Sequence, residues 1–305
     1  MLPILGAQIE QELGDRDRWL VPNRVYHMNF RWDDIEKREG VYTFPAWAFD
    51  NIARLDAKLG KDNYRLIIGV KCTPVIYSIP PHARNSPPAP QHYDKFAHFC
   101  ASVCDVFKPW GIELWNEPEF PAGGDNQEYY GGFGADGFRY GDMVRVVYDY
   151  LTLKQTGTKV IAGASYGLTN RDGALVFLRL AVEAGMKSDY WSWHGYIWDW
   201  EVWTNLDKFR DLLRFSWDAQ EIYNVPQILS EFAVIRKNPR EREASRIRQA
   251  ELMQYMIIHR EITNIECMLW YMLADNGWYH CSMVMGDTQY PVYQVWRQPQ
   301  WTTTV

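Results

Sequence analysis

The chain has 305 residues, a formal net charge of −6 at neutral pH and an aromatic content of 15%. This length suits one large domain, and we interpret residues 1–305 as a single domain. The acidic balance argues against a nucleic-acid partner, and no apolar run reaches the roughly 18 residues that cross a membrane. The N-terminus lacks the basic and apolar regions of a signal peptide, which is compatible with a secreted form whose signal has been removed.

Short apolar segments alternate with amphipathic ones along the chain. Eight apolar segments are predicted as strands: Ile4–Ile9, Arg24–Phe30, Arg65–Val70, Ile112–Trp115, Lys159–Ala164, Tyr190–Tyr196, Gln227–Ser230 and Ile265–Tyr271. The amphipathic segments predict helices at Phe49–Leu59, His92–Phe107, Gly141–Gln155, Gly173–Ala184, Asp207–Tyr223 and Arg240–Glu261, with a last helix beginning at Pro291–Arg297. Apolar strands that alternate with helices form parallel sheets buried on both faces.

Eight strand–helix units in a chain of this length predict an α/β protein with a single (β/α)8 TIM barrel. The alternative is an open doubly wound sheet. That fold usually carries a Gly-rich phosphate loop after its first strand, and the sequence contains no such loop. We therefore expect a closed barrel.

Two predicted strands run into a carboxylate. Asn116 and Glu117 follow the fourth strand, and Pro118 ends that strand and restricts the turn. Glu231 follows the seventh strand in the same manner. In barrels of this class the site lies at the carboxyl ends of the strands, and two carboxylates are what glycosidic-bond hydrolysis requires.

Aromatic residues are abundant, with 15 Trp, 19 Tyr and 13 Phe. Trp198 and Trp200 lie in the loop after the predicted sixth strand, and Trp278 follows the eighth. Tryptophan stacks well on the flat apolar faces of sugar rings, so these three residues are predicted to bind substrate. Packing of these loops onto the barrel is the alternative. Arg31 ends the second strand and is predicted either to line the site or to form a surface salt bridge.

The ordered set Trp115–Pro118, His194–Tyr196, Glu231 and Trp270 resembles the large (β/α)8 clan of retaining glycoside hydrolases known as clan A. Weaker similarities are Trp32–Glu36 with Gly40–Phe44, and Gln289–Tyr293. The resemblance spans nearly the whole chain. It departs from the clan after Thr73 and Pro74, where many members carry a tryptophan that this sequence lacks.

The resemblance implies that Glu117 is the general acid/base and Glu231 the nucleophile. Glu117 must then begin the reaction protonated, with a raised pKa, while Glu231 must begin ionised. The resemblance further implies that Tyr196 hydrogen-bonds Glu231, that Asn116 binds the sugar 2-hydroxyl, and that His194 holds the sugar or orients the acid. It places Trp270 as the floor beneath the sugar at subsite −1.

These features predict a retaining β-glycoside hydrolase with a carbohydrate substrate and no cofactor. We expect endo-action on a β-glucan, mannan or xylan. An exo-acting β-xylosidase-like or β-glucosidase-like enzyme is the first alternative, and a carbohydrate-binding barrel without catalysis is the second. No strand-end cluster of histidine and carboxylate predicts a metal site, and the five cysteines lack metal-ligand spacing.

Overall fold

The computed structural model is a closed barrel of eight parallel strands. The structure describes residues 5–9, 13–122, 131–198, 207–235, 242–259, 263–274, 282–285 and 287–299. The barrel strands are β1 Leu5–Gln8, β2 Arg24–Arg31, β3 Tyr64–Lys71, β4 Gly111–Leu114, β5 Lys159–Ser165, β6 Tyr190–Trp198, β7 Gln227–Ile235 and β8 Ile265–Trp270. Each strand pairs with the next along the chain, and β8 closes on β1. The predicted (β/α)8 barrel is confirmed.

Helices follow most of the strands. They are α1 Trp32–Ile35, α2 Ala46–Leu59, α3 Tyr93–Phe107, α4 Gly137–Leu153, α5 Arg171–Glu183, α6 Asp207–Ile222, α7 Arg242–His259 and α8 Pro291–Arg297. An unpredicted antiparallel hairpin, β9 Val284–Met285 with β10 Thr288–Gln289, precedes α8. Within the described ranges, no helix has both the length and the apolar character needed to span a membrane.

Helices α4 and α5 pack closely because α4 carries glycine at the contact. A Cβ on Gly137 would lie 2.4 Å from the Phe177 carbonyl oxygen, and one on Gly141 would lie 2.3 Å from the Ala181 carbonyl oxygen. Asp136 caps α4 by accepting a hydrogen bond of 3.1 Å from the backbone N–H of Arg139. These contacts hold two neighbouring helices against β4 and β5, whose ends carry part of the candidate site.

The barrel interior is apolar at one end and polar nearer the carboxyl ends of the strands. Strand residues alone form the inner apolar cluster: Val25, Ile67, Ile161, Ile228, Cys267 and Leu269. A much larger apolar layer lies between the strands and the helices. Because side chains alternate along a strand, residues next to the inner cluster point outward into this layer.

Two strands extend further than the sequence indicates. Strand β7 continues to Ile235, and β6 continues to Trp198. Their pairing register shifts between Trp193 and His194, where a bulge interrupts regular alternation. Such bulges redirect side chains next to active sites. Glu231 consequently lies within β7 and opposite His194, where a shorter strand was expected.

Candidate active site

Glu117 lies in a tight turn that follows β4. Its backbone N–H donates a 2.7 Å hydrogen bond to the carbonyl oxygen of Ala164 in β5. Trp115 and Glu117 have φ values of 80° and 47°, a left-handed backbone that costs free energy for residues other than glycine. The indole of Trp115 donates a 2.6 Å hydrogen bond to the Gly131 carbonyl oxygen, which helps to hold this conformation. The turn thus presents Glu117 at the end of the barrel.

Glu231 is held by two hydrogen-bond donors from different strands. Gln8 Nε2 of β1 donates to Glu231 Oε1 at 2.6 Å. The Tyr196 hydroxyl of β6 donates to Glu231 Oε2. The two bonds fix the orientation of both carboxylate oxygens. The Tyr196 contact is the one that the resemblance implied, whereas Gln8 was not anticipated.

His194 bridges the two carboxylates. Its Nδ1 lies 2.9 Å from Glu117 Oε1 and 3.6 Å from Glu231 Oε2. Because both oxygens contact the same nitrogen, they lie no more than about 6.5 Å apart. This limit equals the lower edge of the carboxyl separation that is typical of inverting glycosidases. The side chain of His194 is 1% exposed, so it is part of a preorganised interior. Glu117 and His194, which are 77 positions apart in the chain, are thus in direct contact.

The charges of this cluster act on one another. Burial raises the pKa of Glu117 above its usual value, the hydrogen bond from His194 opposes that change, and the charge of Glu231 adds to it. Burial by itself lowers the pKa of His194, but the negative charges of Glu231 and Glu117 outweigh it and raise this pKa to about 9. The raised pKa favours the protonated ring of His194, whose Nδ1 faces both carboxylates.

A second buried pair of histidine and glutamate lies inside the barrel below this cluster. His27 Nε2 of β2 lies 2.9 Å from Glu113 Oε2 of β4. Burial raises the pKa of Glu113, but the hydrogen bond and charge of His27, together with Ser192 and His194, outweigh it, so the pKa is lowered overall. Gly69 of β3 makes room for these polar groups, since a Cβ there would lie 3.2 Å from His27 Nε2 and 2.3 Å from Asn29 Oδ1.

Trp270 lies in the outer layer of the barrel. It is fully buried, and its ring meets Phe232 edge-on at 4.9 Å. Cys267 and Leu269 belong to the inner cluster, so strand alternation directs Trp270 toward the helices. This position does not place Trp270 beneath a sugar. The alternation of inward and outward side chains along β8 was the feature of the sequence from which this position could have been predicted.

Tyr271, the next residue, is the aromatic side chain of this segment that meets the candidate site. Its ring lies 5.6 Å from the ring of Tyr196 at an angle of 87°. Its backbone N–H donates a 3.1 Å hydrogen bond to the Phe232 carbonyl oxygen. Tyr271 is half-buried, so part of its surface remains open. It was not among the predicted site residues.

The remaining predicted residues differ in what the structure shows of them. Asn116 is half-buried beside Glu117, and its backbone carbonyl accepts a 3.0 Å hydrogen bond from Gly131. Arg31 pairs with Asp33 at 2.8 Å and with Asp34 at 3.2 Å, both in α1 directly after β2. A role for Arg31 in the site stays a prediction. The side chains of three predicted residues lie outside the described part of the chain, namely Trp198, Trp200 and Trp278.

Among the described side chains, no group of three or more histidine, cysteine or carboxylate residues is arranged so that it could hold a metal ion. Four cysteines are free thiols and buried: Cys72, Cys100, Cys104 and Cys267. Burial raises the pKa of Cys72 and of Cys104 to about 11 in each case. These thiols are therefore protonated and unreactive at neutral pH.

Comparison with known proteins relates the fold to glycoside hydrolases. A family 39 glycoside hydrolase from Bacteroides cellulosilyticus superimposes with a TM-score of 0.67 at 15% identity, covering 96% of this chain and 62% of that one. A β-xylosidase from Caulobacter crescentus gives 0.63 at 13% identity, covering 97% and 67%. A family 128 endo-β-1,3-glucanase from Amycolatopsis mediterranei, solved with laminaripentaose, gives 0.54 at 15% identity, covering 97% and 99%.

These similarities are structural. No model of a known protein family matches the chain, and no curated protein matches it. The chain spans less than two thirds of the length of the two family 39 hydrolases with the same barrel, at 62% and 65%. At such low identities the comparisons establish that this barrel is one that glycoside hydrolases use.

Proposed function

We propose that the protein is a retaining β-glycoside hydrolase in which Glu117 is the general acid/base and Glu231 the nucleophile. The observation that carries this proposal is the His194 bridge between the two carboxylates. Retaining enzymes hold their carboxyl groups about 5–5.5 Å apart, whereas inverting enzymes separate them by about 6.5–9.5 Å to admit a water. The facing oxygens of this pair lie no more than about 6.5 Å apart, below nearly all of the inverting range, and on this ground we propose retention.

In the first step, a Glu231 oxygen attacks the anomeric carbon while the bond from that carbon to the leaving oxygen breaks. Glu117 gives its proton to the leaving oxygen. The imidazolium of His194 donates to Glu117 Oε1, which leaves Oε2 as the oxygen that carries the acid proton. The hydrogen bonds from Tyr196 and Gln8 orient Glu231 before the attack.

In the second step, water attacks the anomeric carbon of the glycosyl-enzyme ester. Glu117 takes a proton from that water, and Glu231 leaves as a carboxylate. The negative charge of Glu231 is one of the causes that raise the pKa of Glu117. Ester formation removes that charge, so the pKa of Glu117 falls when the residue must act as a base.

Sugar contacts follow from the side chains around the pair. We propose that Asn116, next to Glu117, binds the 2-hydroxyl of the sugar, a contact that strengthens in the transition state. Tyr271 replaces Trp270 in our proposal as the aromatic surface beneath the sugar, because it meets Tyr196 and remains partly exposed. Trp198, Trp200 and Trp278 remain proposed stacking residues, and Arg31 a proposed wall of the site.

The proposed substrate is a β-linked polysaccharide such as a glucan, mannan or xylan, cleaved internally. The endo-β-1,3-glucanase superposition, which covers nearly all of both chains, supports this preference. An exo-acting β-xylosidase-like or β-glucosidase-like activity is the second candidate, supported by the superposition on a β-xylosidase. Product analysis separates the two, because endo-action releases a mixture of oligosaccharides and exo-action releases one small sugar.

The test is activity on β-glucans, mannans, xylans and aryl β-glycosides, with wild type and Glu231→Ala compared. We expect Glu231→Ala to lose several orders of magnitude in turnover and azide to restore part of it. The product should be a glycosyl azide of inverted configuration, because azide enters the space of the missing carboxylate. Tight oligosaccharide binding with no hydrolysis by wild type would instead favour a non-catalytic carbohydrate-binding barrel.

A further inference from the structure

Glu119 is a buried carboxyl group that the proposed mechanism does not use. It follows Pro118 in the turn after β4 and is 8% exposed. Its Oε1 accepts two hydrogen bonds from the end of β5, each of 2.6 Å, from the Ser165 hydroxyl and the Tyr166 backbone N–H. Its Oε2 is buried and has no hydrogen-bond partner among the described residues. A buried carboxylate oxygen without a partner is costly, so a role for it is expected.

The hydrogen bonds of Glu119 tie the turn of Glu117 to β5. The backbone N–H of Glu117 bonds to Ala164, the residue just before Ser165. The backbone N–H of Phe120 donates to the Glu117 carbonyl oxygen at 3.2 Å, which closes the turn around Glu119. The left-handed φ of Glu117 is thus supported on both sides by contacts to β5 and within the turn.

Glu119 also places a charge next to Glu117. Burial raises the pKa of Glu119 to about 7, with the hydrogen bond from Ser165 opposing that change. The charge of Glu119 is also one of the causes that raise the pKa of Tyr140 in α4. The charge of Glu117 is one of the causes that raise the pKa of Glu119. The charged groups that act on Glu117 come from three strands: Lys71 of β3, His194 of β6 and Glu231 of β7.

We propose that Glu119 is a positioning residue for Glu117, one that fixes the turn carrying the acid and supplies a buried negative charge favouring the protonated acid. This inference rests on the proposed function of Glu117. Like charges held near each other disfavour ionisation of both, so the two glutamates act on each other in the same direction. Glu119 itself makes no contact with the reacting atoms in this proposal.

The test compares pH profiles of kcat/KM for wild type and Glu119→Gln. The glutamine keeps an oxygen that accepts from Ser165 and Tyr166 but carries no charge. General acid catalysis is lost as pH rises through the pKa of Glu117, so this residue sets the alkaline limb. We expect the alkaline limb of Glu119→Gln to move to lower pH by about half a unit to one unit. A purely structural role for Glu119 would leave that limb in place.

Ser165→Ala provides a second variant in case Glu119→Gln fails to fold. Without the hydroxyl, the Glu119 anion loses a donor and its charge at neutral pH decreases, so the alkaline limb should move in the same direction by a smaller amount. Glu36→Gln is the matched control. Glu36 is another buried carboxyl group, at the end of α1, held by Gly40 N–H at 2.6 Å and the Tyr77 hydroxyl at 2.9 Å. We expect this variant to leave the limb unchanged.

An unchanged alkaline limb in folded Glu119→Gln or in Ser165→Ala would overturn the inference, and so would an equal shift in Glu36→Gln. Carbon-13 NMR titration of the glutamate carboxyls, with Glu117 assigned by its loss in Glu117→Gln, tests the same coupling without a substrate. If wild type cleaves no glycoside but the Glu117 titration still moves in Glu119→Gln, the proposed function fails and the coupling stands. If wild type is active and neither readout moves, only the present inference fails.

Discussion

Replacement of Glu117 by Gln separates proton donation from the other features of the site. The amide oxygen of Gln can still accept from His194 Nδ1, which lies 2.9 Å from Glu117 Oε1. The bridge between the two sides of the site is therefore kept, and the change removes the acid proton alone. Because the shape of the side chain is nearly unchanged, we expect little effect on the free energy of unfolding.

The size of the effect depends on the leaving group. General acid–base catalysis contributes about 10²–10⁴-fold, which corresponds to about 3–5 kcal/mol of transition-state stabilisation. With an oligosaccharide leaving group we expect Glu117→Gln to lose that full factor in kcat/KM. With a dinitrophenyl glycoside, whose leaving group departs without a proton, the loss should be less than roughly tenfold.

Stopped-flow assays and pH profiles measure both consequences. Without a base for the second step, Glu117→Gln should accumulate glycosyl-enzyme and show a burst of dinitrophenol. Its alkaline limb should disappear, because in wild type activity falls as pH rises through the raised pKa of Glu117. Equal losses on activated and unactivated substrates would refute the assignment of Glu117 as the acid.

Other contacts give further expected outcomes. Tyr196→Phe removes a charge-assisted hydrogen bond to Glu231 worth about 1.5–3 kcal/mol, so kcat/KM in steady-state assays should fall about 10–100-fold. Tyr271→Ala should raise KM by roughly tenfold with little change in Tm, whereas Trp270→Ala should cost about 3–5 kcal/mol in denaturant unfolding, since Trp270 is fully buried. If Trp270→Ala instead raised KM and Tyr271→Ala instead lowered stability, Trp270 would again be the proposed residue beneath the sugar. Gly141→Ala gains about 1 kcal/mol of helix propensity but places a Cβ 2.3 Å from the Ala181 carbonyl oxygen. We therefore expect urea titration to show a net destabilisation of about 1–3 kcal/mol. A stabilised variant would contradict the close contact between α4 and α5.

The alternation of strand and helix was predictable because it depends on local patterns. Apolar strands, amphipathic helices and glycine at helix ends are properties of neighbouring residues, and they predicted all eight barrel strands that the structure contains. The ends of β6 and β7 were not predictable, since they depend on a register shift between two strands. That shift places Glu231 within β7 and opposite His194.

The sequence by itself determined which residues had the chemistry for a site: two strand-end glutamates, with His194 and Tyr196 on another strand end. Only the tertiary structure decided how they meet. The 2.9 Å and 3.6 Å contacts of His194 and the hydrogen bond from Gln8 join residues far apart in the chain. Tyr271 lies beside Tyr196, and Trp270 lies in the core, because a one-residue step along a strand reverses the direction of a side chain.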